Sequence, residues 1–149
     1  MVLRCLIVDD SSQFLAAARG LLEREGLTVV GVASTGAEAL RRVAELRPDV
    51  TLVDIDLGDQ SGFDVVRLLN RDADVAAARM ILISTHAEDD YAELIAASPA
   101  AGFLPKTALS AAAIRGLLGR QEGGQEGGQE GGQEGDQEGD GQVNERRGT

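Results

Sequence analysis

Polar side chains stand at the ends of four of the five short apolar runs in this sequence. They are Asp9 and Asp10 after the first run, Asp54 and Asp56 at the third, Ser84 at the fourth, and Lys106 after the fifth. Lys106 is the only lysine among 14 basic residues. A carboxylate placed beside a hydroxyl and an ammonium is equipped to accept a phosphoryl group, with the carboxylate as the nucleophile.

The acidic residues also predict a metal site. If the first and third strands are neighbours, Asp9, Asp10 and Asp54 converge on one small volume, where they repel one another unless a cation is present. All candidate ligands are oxygens, and no His or Cys group has the spacing of a zinc site, so a hard ion such as Mg²⁺ is indicated. Mg²⁺ and Lys106 would neutralise the transferring oxygens, and Ser84 would hydrogen-bond one of them.

The elements that must position these side chains are five βα units. Apolar runs alternate with segments of helical period, which predicts an α/β fold with a parallel sheet covered on both faces. The predicted strands are 3–8, 28–33, 50–55, 80–84 and 102–104. The first predicted helix begins after Ser11 or Ser12, and the second opens at Thr35 and stops at Pro48. The other three cover 61–72, 88–97 and 108–119. In a doubly wound sheet of order 2-1-3-4-5, ligands bind beyond the carboxyl ends of the strands.

Composition divides the chain near residue 120. Of the net charge of −11, residues 1–120 carry −5 and the Gln-Glu-Gly-Gly repeat region 121–149 carries −6. The repeat is too polar to form a core, so we predict a folded domain at 1–120 and a disordered acidic tail at 121–149. Neither part has the basic surface typical of nucleic-acid binding. Cys5 lies in an apolar run and is predicted to be buried, and the absence of a signal-like or membrane-length segment predicts a cytoplasmic protein.

Four motifs in order give the folded part a family resemblance. "LIVDD", "TLVDIDLGDQSGFDV", "ILIST" and "GFLPK" resemble the receiver (CheY-like) domain of two-component response regulators over residues 1–120. The resemblance implies a flavodoxin-like (βα)₅ fold and a non-enzymatic, phosphorylation-dependent switch of a phosphorelay. Its implied partners are a sensor histidine kinase or histidine phosphotransfer protein and a downstream protein target, with no nucleic acid or membrane bound directly. The α4-β5-α5 face would carry the output, and a homodimer would also form there.

The resemblance assigns a role to each site residue. It implies that Asp54 accepts the phosphoryl group and that Mg²⁺ is bound by Asp10, Asp54 and the main-chain carbonyl of Asp56, with Asp9 acting mainly through a metal-bound water. It implies that Ser84 and Lys106 hold the phosphoryl group. The remaining assignments are Phe103 as the switch aromatic, and Asp56 and His86 as positions that tune the lifetime of the phosphoryl group.

Two departures keep alternatives open. Gly58 stands where the family often has proline, which predicts a looser loop after the phosphoacceptor, and the acidic repeat stands where an output domain often follows. One alternative is a pseudo-receiver that docks without phosphorylation. The other is a phosphatase of the haloacid-dehalogenase type, which "LVDIDLG" also resembles, although that family places metal-binding acids after its lysine.

Overall fold

The structure is a computed structural model that describes residues 2–73 and 79–126, with side chains through residue 119. The chain divides into two units, residues 1–118 and 119–149. The first unit holds five parallel strands, β1 (Arg4–Val8), β2 (Thr28–Ala33), β3 (Val50–Asp54), β4 (Met80–Ser84) and β5 (Gly102–Pro105). They form one sheet of order β2-β1-β3-β4-β5, which confirms the predicted doubly wound topology.

Helices alternate with the strands along the chain and begin where the sequence supplies caps. They are α1 (Ser12–Arg24), α2 (Gly36–Leu46), α3 (Gly62–Asp72), α4 (Ala92–Ala97) and α5 (Ala111–Glu126). Hydroxyl groups of Ser11, Thr35 and Ser61 accept hydrogen bonds from the first turns of α1, α2 and α3. These bonds satisfy main-chain N–H groups that have no partner inside the helix.

Alternate residues of each strand point to opposite faces, and each face has its own core. On one face, Cys5 and Ile7 of β1 pack with α1 and α5, including Leu22 and Ile114. On the other face, residues such as Leu6 and Val8 pack with α2 and α3. Because both faces are covered, the strands read as continuous apolar runs. Cys5 is fully buried, as predicted, and burial raises the pKa of its thiol to about 12.

Three elements differ from the sequence prediction. The 88–97 helix is a short 3₁₀ turn at Glu88–Tyr91 followed by α4; Glu88, Asp89 and Asp90 are adjacent acids that repel, and Asp favours turns over helix interiors. An unpredicted two-stranded hairpin, Asp56–Leu57 with Gln60–Ser61, follows β3. Helix α5 continues to Glu126, into the repeat, where Gln and Glu are favourable helix residues.

Two further sequence predictions concern the acidic tail and membrane-spanning segments. The remainder of the predicted disordered tail, 127–149, lies outside the described residues. Within the described residues, no helix is long and apolar enough to cross a bilayer.

Candidate functional site

The carboxyl ends of β1, β3 and β5 bring three acids and the lone lysine together. One carboxylate oxygen from each of Asp9, Asp10 and Asp54 lies within 4.8 Å of the others. The Lys106 ammonium lies 2.6 Å from Asp9 Oδ2 and 3.4 Å from Asp54 Oδ2. Asp9 and Asp54 are buried, whereas Asp10 is exposed. The predicted convergence is therefore present, and it depends on β1 and β3 being neighbours in the sheet.

Main-chain contacts fix the buried carboxylates. The Asp9 N–H donates to the carbonyl of Ala33 at the end of β2, and Asp9 Oδ1 accepts a hydrogen bond of 2.8 Å from the Ser11 N–H. Asp54 Oδ1 lies 3.3 Å from the Asp56 N–H, which donates to it. In both residues the other oxygen, Oδ2, faces Lys106. Each acid thus anchors one oxygen locally and presents the other to the shared centre.

The environment of Asp54 disfavours its negative charge. The pKa of Asp54 is raised to about 6, first by burial and then by repulsion from Asp9, although Lys106 and the Asp56 N–H act in the opposite direction. The balance shows that one ammonium does not fully compensate the buried acids. An additional cation beside Asp54 would offset this uncompensated negative charge.

The acidic trio fits Mg²⁺. Three carboxylates and one ammonium leave a net charge of −2, which a divalent cation would neutralise. All ligand atoms are oxygens, the donor type that Mg²⁺ prefers. Asp9 Oδ2 is also buried, and its described partner is the ammonium of Lys106, which pairs with it as an ion. Asp9, Asp10 and Asp54 are therefore the residues that could hold the ion.

Ser84 ends β4 next to the lysine. Ser84 is fully buried and pairs in register with Pro105, the residue before Lys106, while the preceding residue, Ile83, pairs with Asp54. The Ser84 hydroxyl accepts a 3.0 Å hydrogen bond from the His86 N–H. The hydroxyl thus stands at the predicted strand end, where it contacts His86.

Several polar side chains contact one another at the edge of the site. His86 Nδ1 is 3.5 Å from Ser84 Oγ, 3.5 Å from the Tyr91 hydroxyl and 3.9 Å from Asp56 Oδ2. The Asp56 and His86 side chains are both more than half exposed. Burial is the largest factor that raises the pKa of Tyr91, with Asp56 adding to it. The two residues predicted to tune the phosphoryl lifetime are therefore neighbours, with Tyr91 as a third member.

Phe103 lies in the core rather than at the surface. It pairs in register with Leu82 and is 7% exposed, in the apolar cluster that also contains Phe63. Tyr91 packs against that cluster, with its ring 6.0 Å from the Phe63 ring. Both Phe103 and Tyr91 thus belong to the face that carries α4, and the predicted switch role of Phe103 stays a prediction.

The loop after the phosphoacceptor is a hairpin. Gly58 has φ 64°, a left-handed conformation that glycine adopts without a steric penalty at the first position of a two-residue turn. The Gln60 side chain ties the hairpin to α2 by accepting a 2.7 Å hydrogen bond from the Gly36 N–H. The loop predicted to be loosened by Gly58 therefore has main-chain pairing and a side-chain tether.

Three residues near the site were not predicted to take part. Phe14 lies on α1, and its ring centroid is 4.3 Å from the Lys106 ammonium. Tyr91 reaches His86 from the 3₁₀ turn. Gly62 passes so close to β3 that a Cβ there would lie 2.7 Å from the Cα of Ile55. The contact of Phe14 with Lys106 joins segments far apart in sequence. The other two are short-range, and they depend on how the turn after β4 and the hairpin after β3 fold back on themselves.

Comparisons with known proteins give one consistent family. The family model described as "Response regulator receiver domain" matches residues 5–115. Protein-glutamate methylesterase/protein-glutamine glutaminase 5 of Myxococcus xanthus is 42% identical over 67% of this chain and 28% of its own length. The response regulator GacA of Pseudomonas viridiflava is 32% identical over 72% of this chain and 50% of its own length.

Solved structures agree with the sequence relatives. The signal receiver domain of NarL from Mycobacterium tuberculosis matches with a TM-score of 0.68 and 28% identity, covering 82% of this chain and 98% of that one. A LuxR-family two-component response regulator from Aurantimonas sp. SI85-9A1 matches with a TM-score of 0.70 and 26% identity, covering 80% and 87%. The chain spans about half or less of the length of the curated relatives named above.

Proposed function

Because the chain belongs to the response regulator receiver domain family, we propose that it is a phosphorylation-dependent switch whose phosphoacceptor is Asp54. The observation that carries the proposal is the position of the Lys106 ammonium, 2.6 Å from Asp9 and 3.4 Å from Asp54, beside an acidic trio suited to Mg²⁺. Such a centre has the nucleophile and the positive charge that phosphoryl transfer requires.

The chemistry follows from the groups present. A carboxylate oxygen of Asp54 attacks the phosphorus of a phosphohistidine, the new P–O bond forms as the P–N bond breaks, and the electron pair leaves with the imidazole. Lys106 moves toward the added phosphoryl oxygens. The Ser84 hydroxyl rotates away from His86 and donates a hydrogen bond to one of these oxygens. Mg²⁺, held by Asp10, Asp54 and the Asp56 carbonyl with Asp9 acting through water, would neutralise charge on the phosphoryl group.

The partners and output follow from the same proposal. A sensor histidine kinase or histidine phosphotransfer protein would supply the phosphoryl group, in the cytoplasm, and the α4-β5-α5 face would bind a downstream protein or a second copy. Phe103 would report phosphorylation to that face, since it lies in the cluster against which Tyr91 packs. Asp56 and His86 would set how long the phosphoryl group lasts, because they stand at its exposed side.

The chain acts as a switch without an enzymatic activity of its own. The name of the Myxococcus relative includes the word methylesterase. That name describes the whole relative, and this chain covers 28% of its length.

One experiment separates this proposal from the alternatives. The protein is incubated with Mg²⁺ and acetyl phosphate, and a base-labile, acid-stable phosphoprotein is followed by mobility shift. We expect a single adduct on wild type, none on Asp54→Asn, and an unchanged adduct on Asp59→Asn, which removes an exposed acid from the neighbouring hairpin turn. Wild type that stays unmodified contradicts the proposal and favours a docking pseudo-receiver, whereas repeated hydrolysis of phosphate monoesters would favour a phosphatase.

A further inference from the structure

Phe14 covers the side of the Lys106 ammonium that the carboxylates leave open. The ring centroid lies 4.3 Å from Nζ, inside the range of cation–π attraction, while Asp9 and Asp54 hold the ammonium at 2.6 and 3.4 Å. The Lys106 side chain is 13% exposed. An ammonium so enclosed is drawn to the ring more strongly than one in water.

The placement of the ring is tied to the same acid that binds the lysine. Asp9 Oδ1 accepts the Ser11 N–H at 2.8 Å, and Ser11 Oγ accepts the Phe14 N–H at 3.2 Å, which starts α1. Asp9 Oδ2 meanwhile contacts Lys106. The contacts therefore close a loop from Asp9 through Ser11 and Phe14 to Lys106 and back, so ring and ammonium are set by one carboxylate.

We propose that Phe14 is a positioning residue that keeps the Lys106 ammonium at the phosphoacceptor while the ammonium exchanges one anionic partner for another. The inference rests on the proposed phosphorylation of Asp54. When a phosphoryl group is added, Lys106 must shift from the carboxylates toward the new oxygens. If a hydrogen-bond acceptor held the ammonium in place of the ring, that hydrogen bond would have to break before the shift. The face of an aromatic ring instead attracts a cation over a broad area without a fixed direction.

The lone lysine makes this inference measurable at one side chain. Because Lys106 is the only lysine, an amine acylating reagent modifies only this side chain and the amino terminus, and peptide mapping separates the two. The acylation rate then reports how firmly the ammonium is held. The rate of phosphorylation by acetyl phosphate, measured on the same samples with Mg²⁺, reports whether that hold matters for the reaction.

Four variants separate ring attraction from packing. Phe14→Leu removes the ring but keeps apolar volume, and Phe14→Tyr restores the ring. Leu15→Ala is the matched control, because Leu15 is also half-buried on α1 and packs against the same apolar cluster. Site-specific trifluorophenylalanine at position 14 keeps the shape and weakens the attraction of the ring for cations, so it serves even if Phe14→Leu folds poorly.

We expect Phe14→Leu and the fluorinated protein to acylate Lys106 at least threefold faster than wild type and to phosphorylate three- to tenfold more slowly. Phe14→Tyr should match wild type in both rates, and Leu15→Ala should lower the melting temperature alone. Unchanged acylation of Lys106 in the fluorinated protein would overturn the inference and leave Phe14 a packing residue. If wild type takes no phosphoryl group, the proposed function fails, but the acylation rates still decide whether Phe14 holds Lys106.

Discussion

Replacing the phosphoacceptor by its neutral isostere should stabilise the metal-free protein at neutral pH. Asp54 is 4% exposed and its pKa is raised to about 6 by burial and by Asp9. The fold therefore disfavours the ionised form relative to the unfolded chain. Asp54→Asn removes that charge, and its single carbonyl oxygen can replace either Oδ1, which accepts the Asp56 N–H, or Oδ2, which faces Lys106, but not both.

The size and pH range of the effect follow from proton linkage. The native state holds its proton more tightly, so the contribution of Asp54 to stability is fully present below pH 3.8, its ordinary pKa, and is lost as the pH rises through about 6. The full difference converts to about 3 kcal/mol at most. Because Asn pairs less well with Lys106 than a carboxylate does, we expect Asp54→Asn to gain about 1–3 kcal/mol at pH 7.5 and nothing near pH 4.

Urea unfolding in EDTA across pH 4–8 measures this difference directly. Asp59→Asn is the control, because Asp59 is an exposed turn acid and its loss should change stability by less than about 0.5 kcal/mol at any pH. The reasoning is refuted if Asp54→Asn is no more stable than wild type at pH 7.5, or if its advantage is the same at pH 4 and pH 7.5. Either result would mean that the buried acids are fully compensated by Lys106.

Three other predictions test the site and the loop beside it. Lys106→Arg should keep the melting temperature within a few degrees but slow phosphorylation by acetyl phosphate about tenfold, since the guanidinium fork needs more room than an ammonium. Equal rates would show that the site does not require a lysine. Gly62→Ala should cost about 2 kcal/mol or more in urea unfolding, because its Cβ would meet the backbone of Asp54, the last residue of β3, and of Ile55 after it. The matched change Gly116→Ala, where a Cβ meets nothing, should stabilise by about 0.5–1 kcal/mol, and similar effects of the two alanines would disprove the close approach. Mg²⁺ at 100 times its Kd should raise the free energy of unfolding of wild type by about 2.7 kcal/mol. Asp10→Asn should raise that Kd at least tenfold, as measured by calorimetry. A wild-type melting temperature that does not change with Mg²⁺ at constant ionic strength would contradict the metal site.

The sheet was predictable because its signals are local and repeated. The apolar runs that became β2 and β4 have the predicted bounds, and the other three strands differ by one residue at an end. The caps Ser11 and Thr35 are visible as hydroxyl residues just before helical periodicity. The 3₁₀ turn at Glu88–Tyr91 was missed because a run of acids changes helix type without interrupting the pattern.

Sequence alone determined which residues meet at the carboxyl edge of the sheet. Once five βα units are recognised, a parallel sheet of order 2-1-3-4-5 sends the ends of β1, β3 and β5 to one place, and Asp9, Asp54 and Lys106 go with them. The order of the motifs gives the strand ends, and the sheet order of the family that the motifs resemble brings those ends together.

Tertiary structure decided what surrounds those residues. The ring of Phe14 over Lys106 and the tether from Gln60 to α2 join segments that sequence spacing does not relate. So does the degree of burial that raises the pKa of Asp54. These features depend on the distances and angles at which packed elements meet, which are set by the fit of all the side chains between them rather than by any single segment.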